Sequence, residues 1–206
     1  KRIIDEKGID QTEDTVLVLG YFDGLHKGHQ ALFEKAREIA VEQGLKIAVM
    51  TFPESPKLAF VRYQPELMLH LASPEDRMAQ LENLGVDYLY LIDFTSHFAG
   101  NTARDFFEKY VSRLRAKAVV AGFDYHFGSD RKESHELRDY FNGKIVIVPS
   151  VNLDNRKISS TRIRETIAVG DMLKTQELLG YPLSTRGIVV HGNARGRTIG
   201  YPTANL

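Results

Sequence analysis

The chain has no cysteine and no tryptophan among its 206 residues. Without cysteine, disulfides, zinc–thiolate centres and cysteine nucleophiles are excluded. The same absence fits a reducing compartment, and the chain is read as cytoplasmic. Long apolar runs are missing too: no stretch approaches the roughly 18 residues that a membrane-spanning helix needs. The opening KRIIDEKGID is basic at its start but lacks the apolar segment of a secretory signal. It also begins without Met, which carries an expectation of trimming from a longer product. Net charge is absent as well, with 27 Lys and Arg against 27 Asp and Glu. Such a balance attracts neither nucleic acid nor an anionic membrane, so neither is expected as a partner. Any phosphate binding has to come from a local cluster.

What is present is an ordinary globular composition, 43% hydrophobic and 26% charged. Five short apolar runs, at 15–20, 45–52, 87–94, 116–123 and 144–150, predict strands. Between them lie helical patterns at 27–43, 73–85, 102–114 and 133–141, with two more at 159–170 and 171–180. The helix at 73–85 carries Ser73 as an N-cap and Pro74 at its first position. Apolar strands alternating with amphipathic helices predict an α/β fold with a parallel sheet covered on both faces. After Tyr181-Pro182 the pattern changes to a Gly- and Arg-rich segment that reads as β structure and turns. The expected units are therefore 1–182 and 183–206, the second too short to bury a core of its own.

Ligands of open parallel sheets bind beyond the carboxyl ends of the strands. The stretch LGYFDGLHKGH, residues 19–29, sits there, between the first strand and the first helix. Gly20, Gly24 and Gly28 allow close backbone approach, and the following helix N-terminus favours anions. His26 and His29 would then donate to phosphate oxygens. Two other readings of the same residues stand beside this one. The glycines serve only the turn and the histidines the surface, or the two histidines, with Asp23, share a metal. Neither GxxxxGK[ST] nor GxGxxG is matched, so neither a P-loop nor the standard dinucleotide fingerprint is expected. In KISSTRIRETI (157–167), Ser159, Ser160 and Thr161 cluster at a helix start with Arg164 one turn on. Such groups cap free amides or hold polyphosphate oxygens. In AGFDYHFG (121–128), Asp124 lies at the end of the fourth strand among Phe123, Tyr125 and Phe127. Those rings either stack on a planar ligand or pack into the core. Phe94 and Phe98 are read as packing.

HKGH resembles the H-x-G-H signature of the nucleotidylyltransferase superfamily. The longer GYFDGLHKGHQAL resembles the G-x-F-D-G-x-H-x-G-H-x-x-L form of the prokaryotic bifunctional riboflavin kinase/FMN adenylyltransferases, the FAD synthetases, with Phe22, Asp23 and Gly24 also matching. KISSTRIRETI is similar to that family's I-S-S-T-x-I-R segment, and AGFDYHFG to its G-x-D-F-x-F-G segment. The tail at 187–206 is similar to the opening of the riboflavin kinase domain, up to its P-T-A-N element.

The resemblance implies a Rossmann-like nucleotidylyltransferase domain followed by the incomplete start of a β-barrel kinase domain. It implies ATP and FMN as substrates, FAD as product and Mg²⁺ as cofactor. His26, His29, Ser160, Thr161 and Arg164 would be catalytic. Gly20, Phe22, Asp23, Gly24, Gly28, Asp124, Lys157 and Ser159 would bind the nucleotide, and Thr203 would hold Mg²⁺. Kinase activity is not expected of the 206 residues alone. Three positions depart from the family's pattern: Ser55 replaces a histidine, His126 an arginine and Lys157 an arginine. Lysine keeps the charge of a phosphate clamp but loses the bidentate fork. Two alternatives remain: a nucleotidylyltransferase with another phosphorylated acceptor, and a non-catalytic flavin- or nucleotide-binding regulator.

Overall fold

A computed structural model describes residues 2–3, 5–59, 69–193 and 195–201. The strands are β1 (Arg2–Ile3), β2 (Thr15–Leu19), β3 (Lys46–Thr51), β4 (Tyr88–Ile92), β5 (Ala116–Gly122), β6 (His126–Phe127), β7 (Lys132–Glu133), β8 (Lys144–Val148), β9 (Asn152–Leu153) and β10 (Arg156–Lys157). The helices are α1 (Lys27–Gln43), α2 (Pro74–Asn83), α3 (Ser96–Ala99), α4 (Ala103–Phe106), α5 (Ser160–Ala168), α6 (Met172–Leu179) and α7 (Arg195–Thr198).

Six strands form one sheet in the order β1-β4-β3-β2-β5-β8. Every pairing in it is parallel. The five strands expected from the apolar runs are all in it. The sixth, β1, pairs with β4 through Arg2 and Ile3, and two residues carry too little pattern to be read from sequence. β2 lies inside the sheet because, apart from Thr15, it is apolar, and all five of its residues are buried. Successive side chains alternate between two cores. Leu17 and Leu19 join one with Tyr90, Phe106 and Tyr110. Val16 and Val18 join the other with Phe33, Ala36 and Ile39 of α1.

α1 forms because Leu32, Phe33, Ala36, Ile39 and Ala40 recur on one face, and that face is buried on the sheet. Gly44 ends it in the left-handed region, at φ 64°. Ser73 caps α2 by accepting from the Asp76 N–H, with Pro74 in the first turn, as the sequence indicates.

The chain moves outward from β2 to β3 and β4, then returns across β2 to β5 and β8. The reversal opens a crevice between the carboxyl ends of β2 and β5. Two small hairpins, β6–β7 and β9–β10, stand at that end of the sheet. The stretch expected as a helix at 133–141 is a 3₁₀ run, Ser134–Asp139, and the one at 102–114 widens from α4 into a π-helical turn, Phe107–Val111. Residues 187–191, read as β, carry one bridge position at Val190. Ile188 and Val189 are 85% and 65% exposed there, with no sheet packed on them among the described residues. No helix among the described residues is long and apolar enough to cross a membrane.

Truncating Leu17, fully buried in the central strand, should cost about 2–5 kcal/mol in a urea titration of Leu17→Ala. Val41→Ala, on the exposed face of α1, should stay within about 0.5 kcal/mol of the parent.

Candidate active site

The crevice holds a cavity of about 930 Å³ whose walls come from the 19–29 turn, the loops after β5 and β8, and the start of α5. His26, His29, Ser159, Ser160, Thr161, Arg164, Lys157 and Asp124 all line it, as do Gly20, Phe22, Asp23 and Gly28. Segments more than 130 residues apart in sequence are thus brought to one place. Gly24 lies in the turn itself, and Thr203 is outside the described residues.

The turn is shaped by close packing. Phe22 is in the left-handed region at φ 60°, and its ring is buried against Phe33 and edge-on to His29. A Cβ on Gly20 would lie 2.6 Å from that ring, so only glycine fits there. Gly24 has φ 75°, and a Cβ there would meet the Leu71 side chain at 2.8 Å.

His26 is the N-cap of α1, and its Nδ1 accepts from the His29 N–H at 3.3 Å. The neutral ring then carries its hydrogen on Nε2. The two imidazoles stack, with centroids 3.7 Å apart and planes 13° from parallel. Nδ1 of His29 is buried without a hydrogen-bond partner among the described residues. Burial brings His26 down to about 4, with nearby Lys157 acting in the same direction. Burial, then His26 and then Lys157, hold His29 well below the usual imidazole range. The pair is therefore neutral at pH 7 and sits at the positive end of a helix with a donor to offer.

Asp23 is buried, and both carboxylate oxygens are used. Oδ1 accepts from the Leu71 N–H at 2.8 Å, and Oδ2 is paired with Nη2 of Arg164. Its backbone carbonyl accepts from Ser160 Oγ at 3.0 Å. Ser159 caps α5 by accepting from the Arg162 N–H. Of the three hydroxyls at the start of α5, Thr161 is the exposed one. Arg162 is buried and donates to the carbonyls of Leu153 and Arg156 at 2.9 and 2.8 Å. That fastens the β9–β10 hairpin, and with it Lys157, to α5. Lys157 pairs with Asp124 at the cavity mouth and lies 4.6 Å from the centroid of the Phe123 ring. His126 is exposed and bonded to the Asp124 carbonyl. Ser55 lines the far side.

The opposite wall is aromatic: Phe52, Phe94, Phe98, Tyr125 and Phe127. Phe94 and Phe98, read as packing, do pack on Phe52 at 5.2 and 5.5 Å, and they face the cavity as well. Two polar clusters escaped the sequence reading. Tyr21 Oη lies 3.0 Å from His70 Nδ1, and His70 Nε2 lies 2.9 Å from Glu54. Burial pushes the Tyr21 phenol up to about 12. Arg77, itself buried, donates to the carbonyls of Phe52 and Pro53 and steadies that rim. Partners so far apart in sequence leave no local signal. Among the described residues, no group of three His, Asp or Glu side chains could hold a metal ion.

The fold is a parallel α/β sheet with a cavity beyond the carboxyl ends of its strands, and comparison with known proteins specifies the family. The FAD synthetase family model matches residues 8–162 and the riboflavin kinase model residues 179–206. The bifunctional riboflavin kinase/FMN adenylyltransferase of Listeria monocytogenes is 40% identical over 194 residues, 93% of this chain and 62% of its own length. That of Bacillus subtilis is 38% identical over 200 residues, 96% of this chain and 63% of its own length. A crystal structure described as a macrolide-efflux protein from Streptococcus pneumoniae superposes with TM-score 0.95 at 54% identity, over all of this chain and 67% of that one. The chain belongs to the FAD synthetase family. It spans less than two thirds of the length of these curated relatives.

The histidine pair makes the apo protein acid-sensitive in a definite window. An unfolded histidine titrates near 6.5, and His26 in the fold titrates near 4. The unfolded state binds the extra proton, so stability is complete above about 6.5 and falls as pH drops toward 4, by about 3 kcal/mol from His26 alone. Urea midpoints measured between pH 7 and 4 should show this fall, and His26→Asn should flatten it.

Proposed function

We propose that the chain transfers the adenylyl group of ATP to FMN, forming FAD and releasing pyrophosphate. The observation that carries this is the neutral histidine pair on the α1 N-terminus, facing Arg164 of α5 across one cavity, in a chain of the FAD synthetase family. In the reaction an FMN phosphate oxygen attacks the α-phosphorus of ATP, and the bond to the bridging oxygen breaks. The electron pair leaves with pyrophosphate. No protein nucleophile is required, so catalysis is positioning and charge stabilisation. His26 and His29 donate to the phosphate oxygens as charge builds in the transition state. The amides at the start of α1 assist them. Thr161 and Arg164 hold the β- and γ-phosphates, Ser160 spends its one hydrogen on the Asp23 carbonyl and so braces the turn, and Lys157 adds charge at the mouth.

The described residues form no metal cage. Mg²⁺, supplied with ATP, would add charge stabilisation at the phosphates. Thr203 is the side chain we assign to Mg²⁺ in the tail. The aromatic wall suits the flavin ring. At about 930 Å³ the cavity is at the top of the usual range for ligand sites, as two substrates side by side require.

We assign residues 1–182 to the adenylyltransferase domain and 183–206 to the start of a riboflavin kinase-like domain, in a cytoplasmic protein. The Ser55, His126 and Lys157 departures lie at the rim and mouth of the cavity, where they bear on affinity and rate more than on reaction type.

Chromatography of the 206-residue chain with MgATP and FMN should show FAD, and with riboflavin in place of FMN no FMN. His29→Ala should keep the fold by circular dichroism and slow FAD formation about 10²–10³-fold. ATP binding without FAD would contradict the reading and favour another acceptor or a binding role.

A further inference from the structure

Asp23 is the least accessible carboxylate at the cavity, with 4% of its surface exposed. Neither oxygen is free for a ligand. One is taken by the Leu71 N–H at 2.8 Å and the other by the guanidinium of Arg164. That guanidinium also donates through Nε to the Leu69 carbonyl at 2.8 Å. The segment 69–71 therefore holds both members of the pair, and the 19–29 turn is tied to α5 by the same contact. Ser160 Oγ closes a second link to the Asp23 carbonyl. A guanidinium has five N–H groups in a fixed plane. With Nε and one Nη2 hydrogen engaged, the plane is set, and Nη1 has no partner among the described residues. Arg164 lines the cavity and its side chain is 34% exposed.

From this geometry we propose that Asp23 is a positioning residue, not a ligand: its buried carboxylate fixes the plane of Arg164 so that the free edge of the guanidinium meets the pyrophosphate moiety. The inference rests on reading the cavity as an ATP site and assigns one of its motif carboxylates a different task from contact with nucleotide. A lysine could not perform Arg164's part, because one ammonium cannot hold the Leu69 carbonyl, the Asp23 carboxylate and a phosphate in a fixed plane. Misplacing a phosphate clamp by about 1 Å costs up to about 10²-fold.

The test is a double-mutant cycle read by calorimetry with MgATP and with inorganic pyrophosphate, using Asp23→Asn, Arg164→Ala and the double variant. Asparagine preserves the acceptor for the Leu71 N–H while removing the charge. Thermal melts select a temperature at which all four proteins are folded. Arg164→Lys, which leaves Asp23 with a cation, is measured beside them in case asparagine is not tolerated. Asp23→Asn should weaken both ligands about 10- to 100-fold in the parent and by less than about threefold when Arg164 is already alanine. Arg164→Lys should lose nearly as much as Arg164→Ala. Equal losses from Asp23→Asn in both backgrounds would overturn the inference, because Asp23 would then act on its own account. Tighter binding by Asp23→Asn would overturn it too, by showing that the carboxylate competes with phosphate. So would near-parental binding by Arg164→Lys. A parent chain that binds neither probe would overturn the ATP reading itself, and the inference with it.

Discussion

The contact on which the site depends is the pair between the buried Asp23 carboxylate and the half-buried Arg164 guanidinium. It joins the first strand-to-helix turn to a helix that begins 137 positions after Asp23. Removing Arg164 leaves the Asp23 carboxylate charged in a poorly solvated place, which is unfavourable. The surroundings are built to keep both partners satisfied: the Leu71 amide on the carboxylate, the Leu69 carbonyl on the guanidinium, and the Ser160 hydroxyl on the adjoining backbone. Even the glycine that follows Asp23 packs its bare Cα against Leu71. The 19–29 turn and the start of α5 are therefore one structural unit.

The histidines use burial differently. Stacked at 3.7 Å, they disfavour charge on each other, and the helix N-terminus beneath them disfavours it further. A neutral imidazole still donates one hydrogen bond, and its proton affinity rises when anionic oxygens arrive. The free site thus holds little charge at the two rings. Lys157 is kept at the mouth by Asp124. It adds positive potential without sitting against the rings.

Much of the fold was legible because parallel strands and amphipathic helices write two different periods. The run 15–20 and the face from Leu32 to Ala40 could be read directly, and Ser73 and Gly44 marked their helix ends. β1 could not be read, since two residues have no period, and it exists only through pairing with β4. The β9–β10 hairpin was missed because Asp154 and Asn155, at φ 52° and 58°, turn the chain without a glycine to announce it. The residues that line the cavity were legible as motifs. What they do to one another was not: Ser160 and Asp23 read as ligand groups, yet in the fold they bond chiefly to the protein. Tyr21, His70, Glu54 and Arg77 were invisible because their partnerships span 16 to 56 positions.

The central claim is that a neutral, stacked histidine pair receives the phosphate charge. Nitrogen-15 NMR of the imidazoles, titrated with and without a non-hydrolysable MgATP analogue, tests it most directly. The account requires both rings to be neutral at pH 6 in the free protein and at least one to titrate at higher pH when nucleotide is bound. Rings that titrate near the ordinary 6.5 in the free protein, and do not respond to nucleotide, would contradict it.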